Sequence, residues 1–358
     1  MNLIRVFMEG KTMRKINFFL PEDEIITKGF DKKAKPVMDR IRFTFPARVH
    51  ITLIDSNRLD FGKPGGGGLG FAVQMDNWME VSLSREDYQD STRDSQLLLS
   101  HMTFIMKKIL NYQGGIRINL TLNPFLQPHK GLGSTTAILT ACAQGINMLF
   151  GSPLTTEEIR EIVAYNYVEV CDGKLAKGME TGVGTYLILK GGFVIVGGDL
   201  KVIYGRRFFP FYNVVLVDPG LTRFPHKEPE NIPEFRKVQE EDQAFRYQKA
   251  YLLIMELIPA LYSDNFEKIG NIIWRFQWGG NNLLEFEKYP DRGKRILNIM
   301  HELRYCCQPK PIVGITSLGP VIFAICENPE SILKTCEGLN AKTFVTKIDN
   351  EGLKVLEK

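Results

Sequence analysis

The sequence predicts an α+β fold, and three features of the chain support this prediction. The first half alternates short β-type runs with helical segments, whereas the second half is mainly helical and ends in late strands. A glycine-rich loop joins a strand to a long apolar helix within the first half. With 44% hydrophobic and 24% charged residues, the composition is that of a globular protein. At 358 residues, the chain is long enough for two domains.

We expect three regions along the chain. Residues 1–40 read as an N-terminal extension or lid, residues 41–220 as a mixed domain, and residues 221–358 as a helix-rich domain. Residues 222–240 contain three prolines and mixed charges, so we predict a surface loop or lid there.

The mixed domain shows β periodicity in several short runs, of which the clearest alternates Ile116, Ile118 and Leu120 with polar residues. The predicted strands are Arg48–Ile54, Leu69–Gln74, Val81–Leu83, Ile116–Leu122, Tyr186–Leu189, Phe193–Val196 and Asn213–Val217. The predicted helices run over Ser95–Asn111, from Ser134 to Leu149, and from Thr155 to about Val170, where Thr155 and Glu158 suit a capped start.

The second half carries apolar residues at helical spacing and closes with short strands. The predicted helices are Glu241–Leu261, Asn265–Gln277, Pro290–Arg304 and Glu330–Cys336. Pro311–Ser317 is a short apolar segment, and Val321–Cys326, Lys342–Lys347 and Leu353–Leu356 are predicted strands. The pair Trp274 and Trp278 at helical spacing is expected in the core.

Charge and cysteine content restrict the function classes. A net charge of +4 is too small for a nucleic-acid-binding surface, although it suits an anionic substrate. The six cysteines show no C-x-x-C pair, which favours reduced thiols and a cytoplasmic protein. Apolar runs reach neither the length of a membrane span nor the core of a signal peptide, so we expect no membrane association.

The loop before the central helix predicts a phosphate cradle. It reads Gly131-Leu132-Gly133-Ser134-Thr135-Thr136, with Lys130 beside it. Glycines let the backbone approach a ligand, and the first N–H groups of a helix form an anion site. The loop is neither a Walker A loop nor a dinucleotide fingerprint, and a plain structural turn is the alternative.

Together with a second motif, this loop resembles the GHMP kinase superfamily. Pro128, Gly131, Leu132, Gly133, Ser134, Thr135 and Ala137 match the superfamily pattern Pro-x-x-x-Gly-Leu-Gly-Ser-Ser/Thr-x-Ala. Gly314, Ser317, Gly319, Pro320, Phe323 and Ala324 resemble its third motif. The resemblance implies the GHMP kinase fold: an N-terminal domain like ribosomal protein S5 domain 2, which here would be residues 41–220, and a ferredoxin-like C-terminal domain.

Within the superfamily, the sequence is most similar to the β-ribofuranosylaminobenzene 5′-phosphate synthase (β-RFAP synthase) family. The similarity is carried by Ala47–Asp55, Gly66–Gly70, Lys177–Gly184 with Gly191-Gly192-Phe193, and Thr316–Pro320. It implies condensation of phosphoribosyl pyrophosphate with 4-aminobenzoate or 4-hydroxybenzoate, releasing pyrophosphate and, with the aminobenzoate, CO2. This reaction serves pterin cofactor synthesis in one-carbon metabolism. The chain departs from the family at Gly66, which replaces an aspartate, and over Thr222–Pro233.

Candidate site residues follow from the chemistry. Backbone N–H groups of Gly131–Thr136, with the Ser134 hydroxyl and Lys130, are expected to hold diphosphate. Further substrate contacts are predicted from Arg48, Gly66, Gly67, Gly68, Lys177, Gly182, Ser317 and Gly319. His50 shares a strand face with Arg48 and is either a substrate contact or acid/base, or a structural histidine.

Metal and base residues are left with alternatives. Asp55, with Ser134, would bind Mg2+, or Asp55 would cap a turn. Glu180 is the candidate base if the protein is instead an ATP-dependent small-molecule kinase, since no aspartate occupies the position expected in such kinases. A third alternative is a catalytically silent homologue that binds a metabolite or a protein partner. We also expect a homodimer.

Overall fold

The computed structural model describes residues 4–9, 12–17, 25–128, 130–221, 239–240, 242–278 and 290–357. It begins with an antiparallel hairpin of β1 (Ile4–Glu9) and β2 (Thr12–Asn17). Residues after 25 then run over the helical layer: the Lys32 N–H donates to the Ile109 carbonyl, and the Val37 N–H donates to the Leu149 carbonyl. The segment predicted as a loop or lid over residues 222–240 lies outside the described residues, apart from residues 239–240.

A seven-stranded, mostly antiparallel sheet forms the first half. Its strands are β3 (Arg40–Leu53), β4 (Gly68–Ser84), β5 (Tyr88–Asp90), β6 (Gly115–Thr121), β9 (Phe193–Val196), β10 (Val202–Arg206) and β15 (Lys354–Glu357). The order is β10-β9-β4-β3-β15, with β6 paired to the far end of β4 and β5 parallel to β6. The register sets Arg48 opposite Ala72 and His50 opposite Gly70. The predicted strands Leu69–Gln74 and Val81–Leu83 are parts of the single long strand β4.

Four helices cover one face of this sheet. They are α1 (Arg93–Leu110), α2 (Ser134–Leu149), α3 (Thr156–Tyr165) and α4 (Val183–Lys190), and apolar side chains of α1, α2 and α3 share a core with β3, β4 and β6. Helix α3 begins with the predicted capping box, in which Thr155 and Glu158 bind each other's backbone N–H. A short hairpin of β7 (Val168–Cys171) and β8 (Lys174–Lys177) follows α3.

Two local predictions in this region are wrong. The helix expected to reach Val170 ends at Tyr165, because Asn166 binds the Ile162 carbonyl and the chain enters β7. The segment Tyr186–Leu189, predicted as a strand, lies inside helix α4. A short apolar run is compatible with either structure, and here it buries one side of a helix against α2 and β3.

The second sheet is antiparallel, in the order β12-β13-β11-β14. Its strands are β11 (Asn213–Asp218), β12 (Ile312–Ile315), β13 (Ile322–Cys326) and β14 (Lys342–Lys347). The helices of this half are α5 (Arg246–Tyr251), a π-helical segment (Leu252–Leu257), α6 (Ile258–Tyr262), α7 (Phe266–Gln277), α8 (Pro290–Cys306) and α9 (Glu330–Gly338). The α+β fold is therefore confirmed.

One continuous core joins the two halves. Ala47, Val49 and Ile51 on β3 pack in the same cluster as side chains of β11, β13 and α7. Arg48 and His50 alternate with these residues, so they face the opposite side, toward α2 and α4. Strand β11 lies before residue 221, where the second domain is predicted to begin, yet it pairs with β13 and β14 of the second sheet. The domain boundaries stay a prediction.

Candidate active site

The start of α2 forms a narrow, positively polarised cradle. Gly133 is the N-cap residue with a left-handed φ of 69°. A Cβ at this position would lie 2.5 Å from Arg48 Nε, which leaves room only for glycine. The first N–H groups of α2, from Ser134 onward, lack carbonyl partners within the helix, and the helix dipole is positive here. This arrangement suits a phosphate or diphosphate group.

The loop before α2 is fastened to the third glycine motif. The Thr316 hydroxyl donates to the Gly131 carbonyl at 2.9 Å and accepts the His50 N–H at 3.0 Å. The Ser317 N–H donates to the His50 carbonyl at 2.7 Å, and the Gly319 N–H donates to the Thr316 carbonyl at 2.9 Å. The structure therefore brings Gly131, His50, Ser317 and Gly319 together. The two amides predicted as substrate donors hold the protein's own backbone instead.

Arg48 and His50 share one face of β3, as the sequence predicts. Arg48 Nη1 is buried and has no hydrogen-bond partner within the protein. Its side chain also runs past Gly184, where a Cβ would lie 3.2 Å from Arg48 Cδ. A buried guanidinium nitrogen without a partner is costly, so an anionic ligand at the start of α2 would satisfy it.

His50 is 7% exposed, and its Nε2 has no hydrogen-bond partner. The ring lies against Gly68, where a Cβ would be 2.6 Å from Nε2. Burial, followed by the neighbouring charge of Arg48, lowers the pKa of His50 well below 6.5. His50 is therefore a neutral imidazole at neutral pH.

Glu180 is buried beside the first turn of α2. Its Oε2 accepts the Thr136 hydroxyl proton at 2.9 Å, and its Oε1 accepts the N–H of Gly182, the N-cap residue of α4, at 2.8 Å. The Glu180 carbonyl also accepts the Gly65 N–H at 3.0 Å. Both carboxylate oxygens thus hold helix starts in place, which is a positioning role.

Two side chains that the sequence analysis missed complete this cluster. Tyr167 donates from Oη to Glu169 Oε1 at 3.4 Å. Burial raises the pKa of both groups, and the charge of Arg48 acts in the opposite direction on both. Glu169 escaped prediction because its segment was placed on a helix. The alternation of the apolar Val168 and Val170 with the polar Glu169 is typical of a β-strand, and it could have predicted that Glu169 lies on the opposite strand face from the two valines.

The glycine run before β4 is packed against the protein. A Cβ on Gly65 would lie 1.9 Å from the Arg58 carbonyl oxygen, one on Gly66 2.9 Å from Leu53 Cδ1, and one on Gly67 2.5 Å from the Val196 carbonyl oxygen. Glycine is required at these three positions because neighbouring atoms approach the backbone too closely for a side chain.

The loop that contains Lys177 and Gly178 packs against the start of this glycine-rich segment, at Gly62. The Gly62 N–H donates to the Gly178 carbonyl at 3.0 Å. Lys177 lies over Gly62, with its Cδ 2.9 Å from the position of a Cβ there. The structure therefore places Lys177 beside the glycine run.

Lys130 and Asp55 have partners of their own. Lys130 Nζ lies 2.7 Å from Asp218 Oδ2, so its charge is directed to the end of β11. Asp55 Oδ1 accepts the Asn57 N–H at 3.1 Å and caps the turn Ser56–Arg58, the alternative to metal binding. Among the described residues, no group of three or more His, Cys, Asp or Glu side chains could hold a metal ion.

Comparisons with known proteins agree with this architecture. Residues 98–179 match the family model of the GHMP kinases N terminal domain. The homoserine kinase structure from Cytophaga hutchinsonii aligns with a TM-score of 0.61 at 17% identity, covering 90% of this chain and 99% of that one. The Methanococcus jannaschii mevalonate kinase structure aligns with a TM-score of 0.60 at 14% identity, covering 88% and 99%. The chain has the GHMP kinase fold.

Similarity in sequence is more specific. A beta-ribofuranosylphenol 5′-phosphate synthase from Archaeoglobus fulgidus is 26% identical to this GHMP-fold chain, over 88% of this chain and 99% of that protein. A protein with the same name from Methanocaldococcus jannaschii is 24% identical over 87% and 98%. A mevalonate kinase from Aeropyrum pernix is 24% identical over 41% and 44%. These relatives are named as enzymes.

None of the helices in the described part of the chain is long and apolar enough to cross a membrane.

Proposed function

We propose that the chain is a GHMP-fold synthase that condenses phosphoribosyl pyrophosphate with a 4-hydroxybenzoate- or 4-aminobenzoate-type aromatic acid. The anomeric carbon loses pyrophosphate as it forms a bond to a ring carbon of the aromatic acid, and that ring carbon releases its carboxyl group as CO2. The reaction belongs, in this proposal, to pterin cofactor synthesis and one-carbon metabolism in the cytoplasm. The six free cysteines support a reducing compartment.

The observation that carries the proposal is the half-buried Arg48 side chain, whose guanidinium lies against the glycine start of α2. Its Nη1 is buried and lacks a partner, and its Nε packs against Gly133, where no Cβ would fit. A departing pyrophosphate needs fixed donors that stabilise its charge, and a helix start with an arginine supplies them. The relatives that share almost the whole chain length support a ribosyl-transferring synthase over other GHMP chemistry.

Magnesium stays a proposal. Ser134, at the first position of α2, offers a hydroxyl oxygen that could bind Mg2+ together with diphosphate oxygens. Asp55 fits less well because its carboxylate caps the turn Ser56–Arg58. When bound, the ion would neutralise charge on the leaving group. Arg48 and the first amides of α2 would orient the diphosphate in either case.

A kinase is the alternative that the fold allows. Its base would be Glu180, but both Glu180 oxygens accept hydrogen bonds from Thr136 and Gly182. A base must reach the hydroxyl proton of its substrate, so this geometry disfavours Glu180 as the base of a kinase.

Thermal unfolding with phosphoribosyl pyrophosphate and with ATP distinguishes the synthase from the kinase. A ligand that binds only the native state raises the free energy of unfolding by about 2.7 kcal/mol when its concentration is a hundred times its Kd. We expect stabilisation by phosphoribosyl pyrophosphate with Mg2+ and none by ATP with Mg2+. Stabilisation by ATP alone would replace the synthase with the kinase, and no shift with either ligand would favour a silent binding protein.

A further inference from the structure

The helical segment from Arg246 to Tyr262 has an exposed face on which no residue is charged. The segment comprises α5, the π-helical segment and α6, and its other face is buried through Leu252, Leu253 and Leu257. Single exposed apolar residues are ordinary on a protein surface, whereas several together mark an interaction site. The large side chains of the exposed face are 58–71% exposed, and they are Tyr247, Tyr251, Ile254, Met255 and Tyr262.

Strand β10 continues this apolar face. It is the last strand at its edge of the first sheet, and within the described ranges only β9 pairs with it. Its residues Val202 and Ile203 are 40% and 60% exposed. Ile203 lines the same cavity as Ile254 of the π-helical segment, and the rings of Tyr204 and Tyr262 meet edge to face with centroids 5.4 Å apart. We call the helical face together with Val202 and Ile203 the β10 edge surface.

The opposite edge of the same sheet is protected by charge. Its last strand, β15, begins with Lys354 and ends with Glu357, and both residues are exposed. Charged side chains on an edge strand oppose its pairing with another chain. On β10 the charge of Arg206 is used within the chain instead, because its Nη1 donates to the Leu261 carbonyl at 2.7 Å and its Nη2 to Asp264 at 3.0 Å. The β10 edge therefore lacks the protection that β15 has.

The β10 edge surface is large enough for a stable protein contact. An aromatic side chain buries about 150–250 Å² when it is fully covered, so the three tyrosines at their present exposure offer roughly 400 Å². The isoleucine, methionine and valine side chains and the free edge of β10 add to this area. The total approaches the surface of about 800 Å² that each partner buries in a stable complex.

The absence of charge suits a second copy of the chain. A two-fold axis brings the same patch of both copies together, so a charged patch would repel its own counterpart and an uncharged one does not. The half-buried Glu256, on the same segment, is already paired with Arg275 at 2.8 Å. Homodimer interfaces are also apolar, and tyrosine and methionine are enriched in interfaces. We propose that two copies of the chain associate through the β10 edge surface about a two-fold axis, with β10 antiparallel to its counterpart.

Sedimentation velocity of the full chain over a range of concentrations tests the proposal. We expect a monomer–dimer equilibrium in the wild type. Tyr251→Glu and Ile254→Glu each place one negative charge per copy in the contact, so each should raise the dimer Kd about a hundredfold or more. Leu356→Glu is the matched control, because Leu356 is 55% exposed on the opposite edge strand β15, and this variant should dimerise like the wild type. Thermal unfolding verifies that each variant is folded.

Hydrogen exchange measured by mass spectrometry locates the contact. Residues 202–206 and 247–262 should exchange more slowly in the wild-type dimer than in Ile254→Glu, whereas residues 354–357 should exchange equally in both. A wild type that is monomeric at every concentration would overturn the proposal, as would a dimer that both glutamate variants leave intact. Binding of a monomeric wild type to phosphatidylcholine vesicles, lost in Ile254→Glu, would assign the surface to a lipid partner instead.

Discussion

Single residues decide the chemistry of the cradle. Gly133 combines a left-handed φ with a contact to Arg48 that no other residue permits. The sequence predicts both Arg48 and Gly133 as site residues, because glycine motifs and strand alternation are local signals, and the structure brings the two side by side. Glu169 and Tyr167 were missed, since their approach to Arg48 depends on a hairpin that local patterns did not reveal.

Gly133→Val should abolish stabilisation by phosphoribosyl pyrophosphate. The new side chain would collide with Arg48 at the start of α2, displace its guanidinium, and strain the backbone at a positive φ. Thermal unfolding with and without the ligand measures the effect. Gly29→Val is the matched control, because Gly29 also has a positive φ, of 96°, but no atom lies within 4 Å of its Cβ position. Equal ligand stabilisation in wild type and Gly133→Val would show that the cradle lies elsewhere.

At the scale of elements, the helices with clear apolar periodicity were predicted well, as α1 and α7 show. The error at α4 has a physical cause. Its apolar run with Tyr186 and Ile188 has strand-like composition, yet contact with α2 and β3 decides for a helix. Strand β4 is predicted as two separate runs, and the polar residues Asp76 and Asn77 lie between them within the one long strand.

One inter-element contact predicts a pH dependence. His101 on α1 donates from Nε2 to the Asn166 carbonyl at 2.9 Å, and Asn166 also binds the backbone of Ile26. Burial is the main cause that lowers the pKa of His101 to about 4. Because the unfolded chain binds the proton more tightly, stability is lost as the pH falls from about 6.5 toward 4.

Protonation of His101 should therefore lower the free energy of unfolding by about 3 kcal/mol as the pH falls from about 6.5 to about 4. Denaturant unfolding at several pH values measures it. His101→Gln retains an amide donor without titrating, so its stability should fall less over the same range. His301→Gln, on the exposed side of α8, serves as the control and should follow the wild type. Parallel curves for wild type and His101→Gln would refute the assignment.

For the whole molecule, the two halves are joined by a shared core and by the buried ion pair of Asp242 and Lys249. Asp242 is completely buried, and Lys249 is nearly so. Together they bind Ser56 and the Leu53 carbonyl at the end of β3. Burial lowers the pKa of Lys249, and the Asp242 carboxylate opposes that shift. No local sequence pattern indicates this pair. Asp242 and Lys249 lie about 190 residues along the chain from Ser56 and Leu53, the residues that they bind.

Asp242→Ala should destabilise the protein by about 3–5 kcal/mol, because it leaves a buried ammonium without its counter-ion. Adding Lys249→Met should recover part of this loss. Asp60→Ala, which breaks the exposed pair with Lys63, is the control and should cost about 0.5 kcal/mol or less. Denaturant unfolding gives all three values. A loss in Asp242→Ala no larger than that in Asp60→Ala would contradict the role of this pair.

Product analysis tests the central claim most directly. The protein is incubated with phosphoribosyl pyrophosphate, Mg2+ and 4-hydroxybenzoate or 4-aminobenzoate, and pyrophosphate and ribosylated product are quantified by mass spectrometry. The synthase predicts equal amounts of pyrophosphate and a ribosylated aromatic phosphate, both abolished in Gly133→Val. Absence of both products with either acid, while ATP supports phosphorylation of a small alcohol, would contradict it.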